Sequence, residues 1–214
     1  MEYCLNITVL SSKNHPIFPI LEQWSQINSE KHNISLISSL EEITGGEILF
    51  LISFTKIVNS QIREKFKKCL VIHASDLPEG RGWSPHIWEI LKGKNKITLT
   101  LFEAVDNVDA GDVWKKSSFE LEGHELYQEI NQKLFKSELE LMDYAVKNFL
   151  TISPNPQTKS NSEYYPKRNP EDSEINPEKS IAEQFDLMRI CDDERFPCFF
   201  NFRNHRYKIS LSKI

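Results

Sequence analysis

The sequence lacks any stretch that is long and apolar enough to serve as a membrane span. Its longest apolar run, from Ile48 to Phe54, is far shorter than the roughly 20 residues that a helix needs to cross a bilayer. No basic stretch followed by an apolar core stands at the N-terminus, so we expect no signal peptide. These absences predict a soluble cytoplasmic protein that has no membrane partner.

The sequence also lacks the residue spacings of several common site types. Its four cysteines match no zinc or redox template, so we expect no metal site. No glycine-rich fingerprint follows the first predicted strand, which argues against an enzyme that uses a nicotinamide dinucleotide. The net charge of −5 over 214 residues argues against a nucleic-acid partner, because a phosphate backbone favours a basic face.

The first 120 residues contain short β-branched or apolar runs separated by turn residues and amphipathic segments. The predicted strands are Leu5–Leu10, Asn33–Ile37, Ile48–Ile52, Leu70–Ile72, Lys96–Phe102 and Val113–Leu121, and the predicted helices between them are Ile17–Ile27 and Gln61–Lys68. Strands that alternate with helices are typical of parallel sheets. The pattern therefore predicts an α/β fold with a doubly wound, Rossmann-like, mostly parallel sheet.

The second part of the chain changes in composition at Thr151. Before that residue, Glu125–Leu150 has the apolar spacing of a long amphipathic helix. After it, five of the ten prolines fall between Pro154 and Pro177, followed by a predicted short helix and a predicted hairpin at Phe199–Ile209. We therefore divide the chain into a domain, 1–150, that we expect to carry any functional site, and an appendage, 151–214, that we expect to complete that site. The long helix or the tail could form a homodimer interface, and core packing explains both equally well.

His73 and Asp109 are the residues best suited to carry chemistry. Each follows a strand-like segment, and in a doubly wound sheet ligands bind beyond the carboxyl ends of the strands. We therefore expect the two side chains to lie side by side at that edge. A histidine oriented by a carboxylate is a unit for moving a proton. A purely structural histidine and a turn aspartate remain the alternative.

The loop between the two residues is rich in groups that can contact a ligand. Residues 75–82 contain one proline and two glycines, which allow the backbone to approach a bound molecule closely. Arg81 can pair with a phosphate in bidentate fashion, although it could equally be a solvated loop charge. Trp83 and His86 offer flat surfaces and hydrogen bonds. The loop therefore predicts a site for an anionic substrate.

Three motifs in this region resemble those of a known family. HASDLPEGRGWSP at 73–85, IWEILKG at 87–93 and TLTLFEAVDNVDAGD at 98–112 are similar to the formyltransferases, which include methionyl-tRNA formyltransferase and the sugar N-formyltransferases. The resemblance covers residues 45–120 well and the first strand and helix more loosely. It implies a formyltransferase fold, 10-formyltetrahydrofolate as the one-carbon donor, and His73 and Asp109 as catalytic residues.

The tail resembles one branch of that family. Tyr164–Ser173 and Arg195–Phe200 are similar to segments of enzymes that formylate nucleotide-linked amino sugars. The resemblance implies formyl transfer to the 4-amino group of a UDP- or dTDP-linked amino-deoxysugar, a precursor of a lipopolysaccharide, a flagellar glycan or another surface polysaccharide. Alternatives are another amine acceptor such as tRNA, a hydrolase that releases formate, and an inactive homologue that only binds folate or nucleotide sugar.

One position departs from the family pattern. The formyltransferases usually have an asparagine two residues before the histidine, where this chain has Val71. Loss of a hydrogen-bond donor to a developing oxyanion typically costs on the order of 3 kcal/mol. Another donor could replace it, the branch could tolerate valine, or the protein could be weak or inactive.

The resemblance and the loop chemistry together assign the binding residues. We expect the donor folate to lie between the end of the third strand and the loop from Ala104 to Asp109, at Leu51, Ile52, Ser53, Phe54, Ala104, Val105, Asp106 and Val108. We expect the acceptor to contact His15, Ser75, Arg81, Gly82, Trp83, Pro85, His86, Tyr165 and Arg168.

Overall fold

The computed structural model describes residues 3–158 and 163–214. Its strands are β1 (Asn6–Ser11), β2 (Asn33–Ile37), β3 (Gly46–Ile52), β4 (Phe66–His73), β5 (Arg81–Gly82), β6 (Lys96–Glu103), β7 (Val113–Glu120), β8 (Tyr164–Tyr165), β9 (Cys198–Phe202) and β10 (His205–Ile209). Its α-helices are α1 (Phe18–Asn28), α2 (Ser60–Arg63), α3 (Pro85–Leu91), α4 (Tyr127–Asn148) and α5 (Ile181–Arg189). Single 3₁₀ turns lie at Leu40–Glu42 and Pro170–Ser173.

A six-stranded sheet forms the centre of the protein, with the strand order β2-β1-β3-β4-β6-β7. The first four strands in that order run parallel, whereas β6 is antiparallel to β4 and β7 is antiparallel to β6. Two further pairs, β9 with β10 and β5 with β8, lie outside this sheet. The mostly parallel α/β fold confirms the prediction, and the antiparallel direction of β6 is a feature that the sequence pattern did not indicate.

Helices α1 and α4 cover one face of the sheet. The first begins beside a proline, whose fixed backbone angle suits a helix start, and it buries Leu21 and Trp24 against the sheet. The Trp24 indole N–H donates to Asp143 of α4 over 2.7 Å, which ties the two helices together. Within the described part of the chain, no helix combines the length and the apolar character needed to cross a membrane.

A smaller apolar cluster covers the opposite face. It contains Leu10, Ile37, Ile43, Leu49, Val58, Phe66 and Cys69. Because side chains alternate along a strand, Val71 and His73 of β4 point to the same face as Cys69. Cys69 is the last β4 residue in this cluster, so the carboxyl end of β4 lies beyond it.

One local prediction needs correction. The helix predicted over Gln61–Lys68 ends at Arg63, and the residues from Phe66 onward belong to β4. Phe66 is buried while Lys67 is exposed, an alternation that favours a strand. The residues after Pro85 form the helix α3, which begins at that proline.

Candidate functional site

His73 is the last residue of β4, and its side chain is only 11% exposed. Its Nε2 lies 3.0 Å from the Gly80 carbonyl oxygen. A carbonyl oxygen only accepts hydrogen bonds, so Nε2 carries the ring proton in this arrangement. The same nitrogen lies 3.8 Å from Oδ2 of Asp109, whose side chain is 10% exposed. The two residues predicted to act together are therefore neighbours in a largely buried setting.

Asp109 reaches His73 by a different route from the predicted one. Because β6 runs antiparallel to β4, Glu103 at its end pairs with Leu70 rather than with His73. The loop of residues 104–112 then folds back across the sheet. Asp109 has a φ of 56°, in the left-handed region that aspartate tolerates better than most residues, and it accepts a hydrogen bond from the Gly82 N–H over 3.2 Å. The pair is thus held by a turn and not by two adjacent strand ends.

Gly111 fixes the return of this loop. A Cβ at this position would overlap the Glu103 carbonyl oxygen, and Glu103 also donates its N–H to the Asp112 carbonyl oxygen over 3.0 Å. The Gly111 carbonyl oxygen accepts from the Gln157 side chain over 2.7 Å. Only glycine allows the backbone to lie this close to β6.

Replacement of Gly111 by alanine is expected to lower the free energy of unfolding by about 3 kcal/mol, because the methyl group forces the loop away from β6. Urea denaturation measures this change. Gly93→Ala is the matched control, since Gly93 has a positive φ but open space around it, and it is expected to cost about 1 kcal/mol. Equal losses in the two variants would contradict the proposed clash.

The predicted donor-binding residues fall into three environments. Leu51, Phe54 and Ala104 are partly buried and pack against the smaller apolar cluster, on the His73 face of the sheet. Ser53, with a φ of 50°, turns the chain between them. Ile52 is buried on the opposite face with α1 and α4, so only its backbone groups face this region.

The loop of residues 104–112 supplies the outer edge of this region. Val105 and Val108 are exposed, at 44% and 58%. Asp106 forms an ion pair with Arg63 of α2, which joins the loop to the segment that follows β3. The end of β3 and the loop are thus joined near α2, and the two exposed valines lie on the outside of the loop.

Two further histidines lie close to His73. His86 stands in the first turn of α3, and burial together with nearby His15, His73 and Arg168 lowers its pKa to about 3. His15 follows β1, and its ring meets that of Phe135 edge to face at 6.0 Å. Burial and Arg195 lower the pKa of His15 to about 4. Both imidazoles are therefore neutral at pH 7.

The tail contributes Arg168 to the same region. Its side chain is buried, donates to Ser173 Oγ over 3.0 Å and lies over the Phe196 ring. The Arg168 Nε has no hydrogen-bond partner among the described residues. The guanidinium lies near enough to His86 to affect the pKa of that histidine.

Other predicted acceptor contacts have structural partners. Tyr165 is buried, donates its hydroxyl to Glu89 over 2.7 Å and stacks on Trp88. Ser75 is buried beneath the loop, and Pro85 is buried at the start of α3. The Trp83 ring lies under the Lys167 ammonium.

Short strands β5 and β8 connect the loop to the tail. Arg81 pairs with Tyr164 and Gly82 with Tyr165, and the Trp83 N–H donates to the Tyr165 carbonyl oxygen over 2.9 Å. A Cβ on Gly82 would overlap that backbone. The glycine therefore serves the contact between loop and tail, and the Gly82 N–H holds Asp109 as well.

No site role was predicted for Asp192 or Arg195, although Arg195 begins one of the tail segments that carry the family resemblance. The Asp192 carboxylate accepts from the Arg195 Nε over 2.5 Å and from two backbone N–H groups of the same turn. Both charges lie near enough to His15 to affect its pKa. The available signal in the sequence was the spacing of Asp192 three residues before Arg195, which allows an ion pair within one turn. In the described ranges, no group of three or more His, Cys, Asp or Glu side chains is arranged to hold a metal ion.

Comparison with known proteins places this geometry in context. The sequence matches the family described as formyl transferase over residues 6–146. Among curated proteins, a methionyl-tRNA formyltransferase from Bacillus pumilus is 32% identical over 123 residues, which cover 56% of this chain and 39% of the relative. The chain thus spans less than half of that relative's length.

Solved structures share the fold. A methionyl-tRNA formyltransferase from Clostridium thermocellum has a TM-score of 0.82 at 23% identity, over 98% of this chain and 93% of that one. HypX from Aquifex aeolicus, in complex with tetrahydrofolic acid, has a TM-score of 0.79 at 19% identity, over 95% and 37%. A 4-N formyltransferase from Francisella tularensis has a TM-score of 0.75 at 17% identity, over 97% and 98%.

Proposed function

Because the chain belongs to the formyl transferase family, we propose that it transfers a formyl group from 10-formyltetrahydrofolate to the 4-amino group of a nucleotide-linked amino-deoxysugar. The observation that carries the proposal is the largely buried pair of His73 and Asp109, 3.8 Å apart. The apolar residues at the end of β3 suit the donor, and Arg168, which lies near His86, suits the acceptor.

The apolar residues beside the end of β3 have the chemistry that a folate needs. Leu51, Phe54 and Ala104 provide an apolar surface for a flat ring. The turn at Ser53 and the loop of residues 104–112 bring backbone N–H and C=O groups to the same place, where they can pair with the edge of a pterin. When bound, 10-formyltetrahydrofolate would supply the formyl carbon that an acceptor amine attacks.

His73 and Asp109 have complementary roles in this proposal. In this proposal His73 releases the Gly80 carbonyl and adopts the tautomer with an unprotonated Nε2. That nitrogen would take the proton from the attacking amine, and the resulting imidazolium would donate its Nε2–H to the developing oxyanion and then pass the proton to the tetrahydrofolate nitrogen that leaves. Asp109 lies behind that nitrogen, where its negative charge orients the ring and stabilises an imidazolium. Val71 offers no donor on this face, so the His73 proton carries more of the oxyanion stabilisation.

The acceptor side favours a diphosphate. His15 and His86 are neutral at pH 7 but can donate hydrogen bonds, and Arg168 brings a charge with an unpaired Nε. Arginine binds phosphate oxygens with good geometry. A nucleotide-linked sugar would place its diphosphate near Arg168 and its amine near His73.

A tRNA is the second candidate acceptor, because sequence relatives include methionyl-tRNA formyltransferases. Against it, the net charge of −5 gives little attraction for a polyphosphate backbone. The nucleotide sugar therefore remains the first choice.

A direct assay distinguishes the acceptors. Purified protein is incubated with 10-formyltetrahydrofolate and either UDP- or dTDP-linked 4-amino-4,6-dideoxysugars or initiator methionyl-tRNA. We expect the sugar nucleotide to gain about 28 Da, as a formyl group replaces a hydrogen. Formylation of the tRNA alone would reassign the acceptor, formate release without an acceptor would indicate a hydrolase, and no reaction with any acceptor would contradict the proposal.

Introducing an asparagine at Val71 is expected to raise kcat about tenfold, because its amide adds a donor on the His73 face. The flanking residues, Leu51 and Phe102, are paired with Val71 in the sheet and leave its side chain partly exposed. Steady-state kinetics measures the gain. Val71→Leu has nearly the same shape as the asparagine variant without the donor, so an equal effect of both would rule out oxyanion stabilisation.

A further inference from the structure

Two buried cysteines of the tail lie together in one small cluster. Cys191 follows α5, and Cys198 begins β9. Both belong to an apolar cluster with Ile175 and Met188. A tight turn between them is closed by an antiparallel bridge from Asp192 to Phe196, with the Phe196 N–H donating to the Asp192 carbonyl oxygen over 3.0 Å. The turn brings the two thiols to the same side of the chain.

The groups around the two thiols are unequal. Cys191 is next to Cys198, Ser173 and Arg168, which can all donate a hydrogen bond or a positive charge to its sulfur. A hydrogen bond from Cys198, with support from Ser173 and Arg168, lowers the pKa of Cys191 to about 7, and the same contact raises the pKa of Cys198. As a neutral thiol, Cys191 donates to the Leu187 carbonyl oxygen over 3.1 Å. Cys191 is therefore the better nucleophile of the two.

The other two cysteines have no such surroundings. Cys69 is buried in the smaller apolar cluster, where desolvation raises its pKa to about 12. Cys4 is exposed at the start of the chain. A thiol becomes reactive when nearby donors and cations favour its thiolate, which distinguishes Cys191 from Cys69.

We propose that Cys191 and Cys198 form a redox-active pair that closes to a disulfide when the protein meets a peroxide. The geometry that supports this is the shared cluster and the closed turn between the two residues. Arg168 lies near both Cys191 and His86, so this pair of cysteines is close to the residues proposed for the acceptor side.

The chemistry proceeds in two balanced steps. The Cys191 thiolate attacks hydrogen peroxide, which gives a sulfenic acid and hydroxide. The Cys198 thiol then attacks the Cys191 sulfur, which forms the S–S bond and releases water. Overall the two thiols lose two electrons and two protons, and the peroxide is reduced to two molecules of water.

Mass spectrometry of the full-length protein tests the proposal. A Cys4→Ser background removes cross-linking between molecules, and the protein is treated with hydrogen peroxide and then digested without reductant. We expect an intact mass about 2 Da lower and a cross-linked peptide that joins Cys191 to Cys198. Cys69→Ser should behave like the parent, whereas Cys191→Ser and Cys198→Ser should not form the cross-link.

The peptide map of the Cys4→Ser protein decides the question even if the Cys191→Ser or Cys198→Ser variant folds poorly. A cross-link between any other pair would overturn the proposal. The peroxide dose is one that oxidises the Cys4 thiol of wild-type protein. At that dose, free thiols at both Cys191 and Cys198 would also overturn the proposal. Oxidation of Cys191 to a sulfinic acid while Cys198 stays reduced would overturn it as well.

Discussion

His73→Asn is expected to lower kcat for formyl transfer by about 10³-fold, because the variant can neither accept the amine proton nor become a charged donor to the oxyanion. Dissociation constants for the folate and the sugar nucleotide are expected to change little, since the ring mainly contacts Gly80 and Asp109. Single-turnover kinetics with the mass-shift assay measures the loss in the chemical step.

His205→Asn is the control for this experiment. His205 is an exposed histidine of the β9–β10 hairpin, and its replacement should leave turnover unchanged. Thermal unfolding of both variants shows whether the fold is retained. Full activity of a folded His73→Asn protein would be incompatible with His73 as the base.

Glu138→Gln is expected to stabilise the protein by about 3 kcal/mol at pH 8, which corresponds to a rise in Tm of about 6–12 °C. Glu138 lies on the buried face of α4 at 6% exposure, and its Oε2 has no partner in the described part of the chain. Desolvation raises the pKa of this carboxyl from 4.5 to about 8. The isosteric amide removes the ionisation but keeps the shape.

The shifted pKa values determine whether stability rises or falls with pH. Between about pH 4.5 and 8 the folded protein retains the Glu138 proton that the unfolded chain has released, so stability falls as the pH rises. His15 and His86 act in the opposite direction. Their pKa values in the folded state, about 4 and about 3, lie below the ordinary 6.5, so stability is lost as the pH falls below 6.5.

Wild-type protein should therefore be most stable near pH 6.5, whereas Glu138→Gln should keep its stability at higher pH. Thermal unfolding from pH 5 to pH 8.5 measures both curves. Glu140→Gln, an exposed change on the same helix, should follow wild type. The buried-carboxyl explanation fails if wild type and Glu138→Gln lose the same stability between pH 6.5 and pH 8.

The parts of the fold that local patterns determine were predicted well. β1, α1, β2 and β3 lie within a residue or two of their expected positions, because β-branched runs and helical apolar spacing each have a distinct period. The direction of β6 was not predictable in this way. A strand alternates in the same manner whichever way it runs, so the periodicity of Lys96–Phe102 carries no information about its neighbour.

The candidate site was predicted in its central pair and less well around it. His73 and Asp109 are adjacent, although a returning loop rather than a strand end brings Asp109 there. Tyr165 proved to be a packing residue, because its aromatic ring and hydroxyl found partners in α3. The β5–β8 pairing was missed, since strands of two residues are too short to show a period.

The pairing of β5 with β8 also has a consequence for the order of folding. Glu89 and Tyr165, which hydrogen-bond beside this pairing, are 76 positions apart in the chain. Forming contacts between residues this far apart costs the entropy of closing a long loop before the contacts contribute any stability. During synthesis, the sheet strands through β7 emerge first. The loop that contains Gly80 and Gly82 cannot pair with the tail until the tail has been synthesised. The surroundings of His73 are therefore completed only after residues 164–165 have left the ribosome.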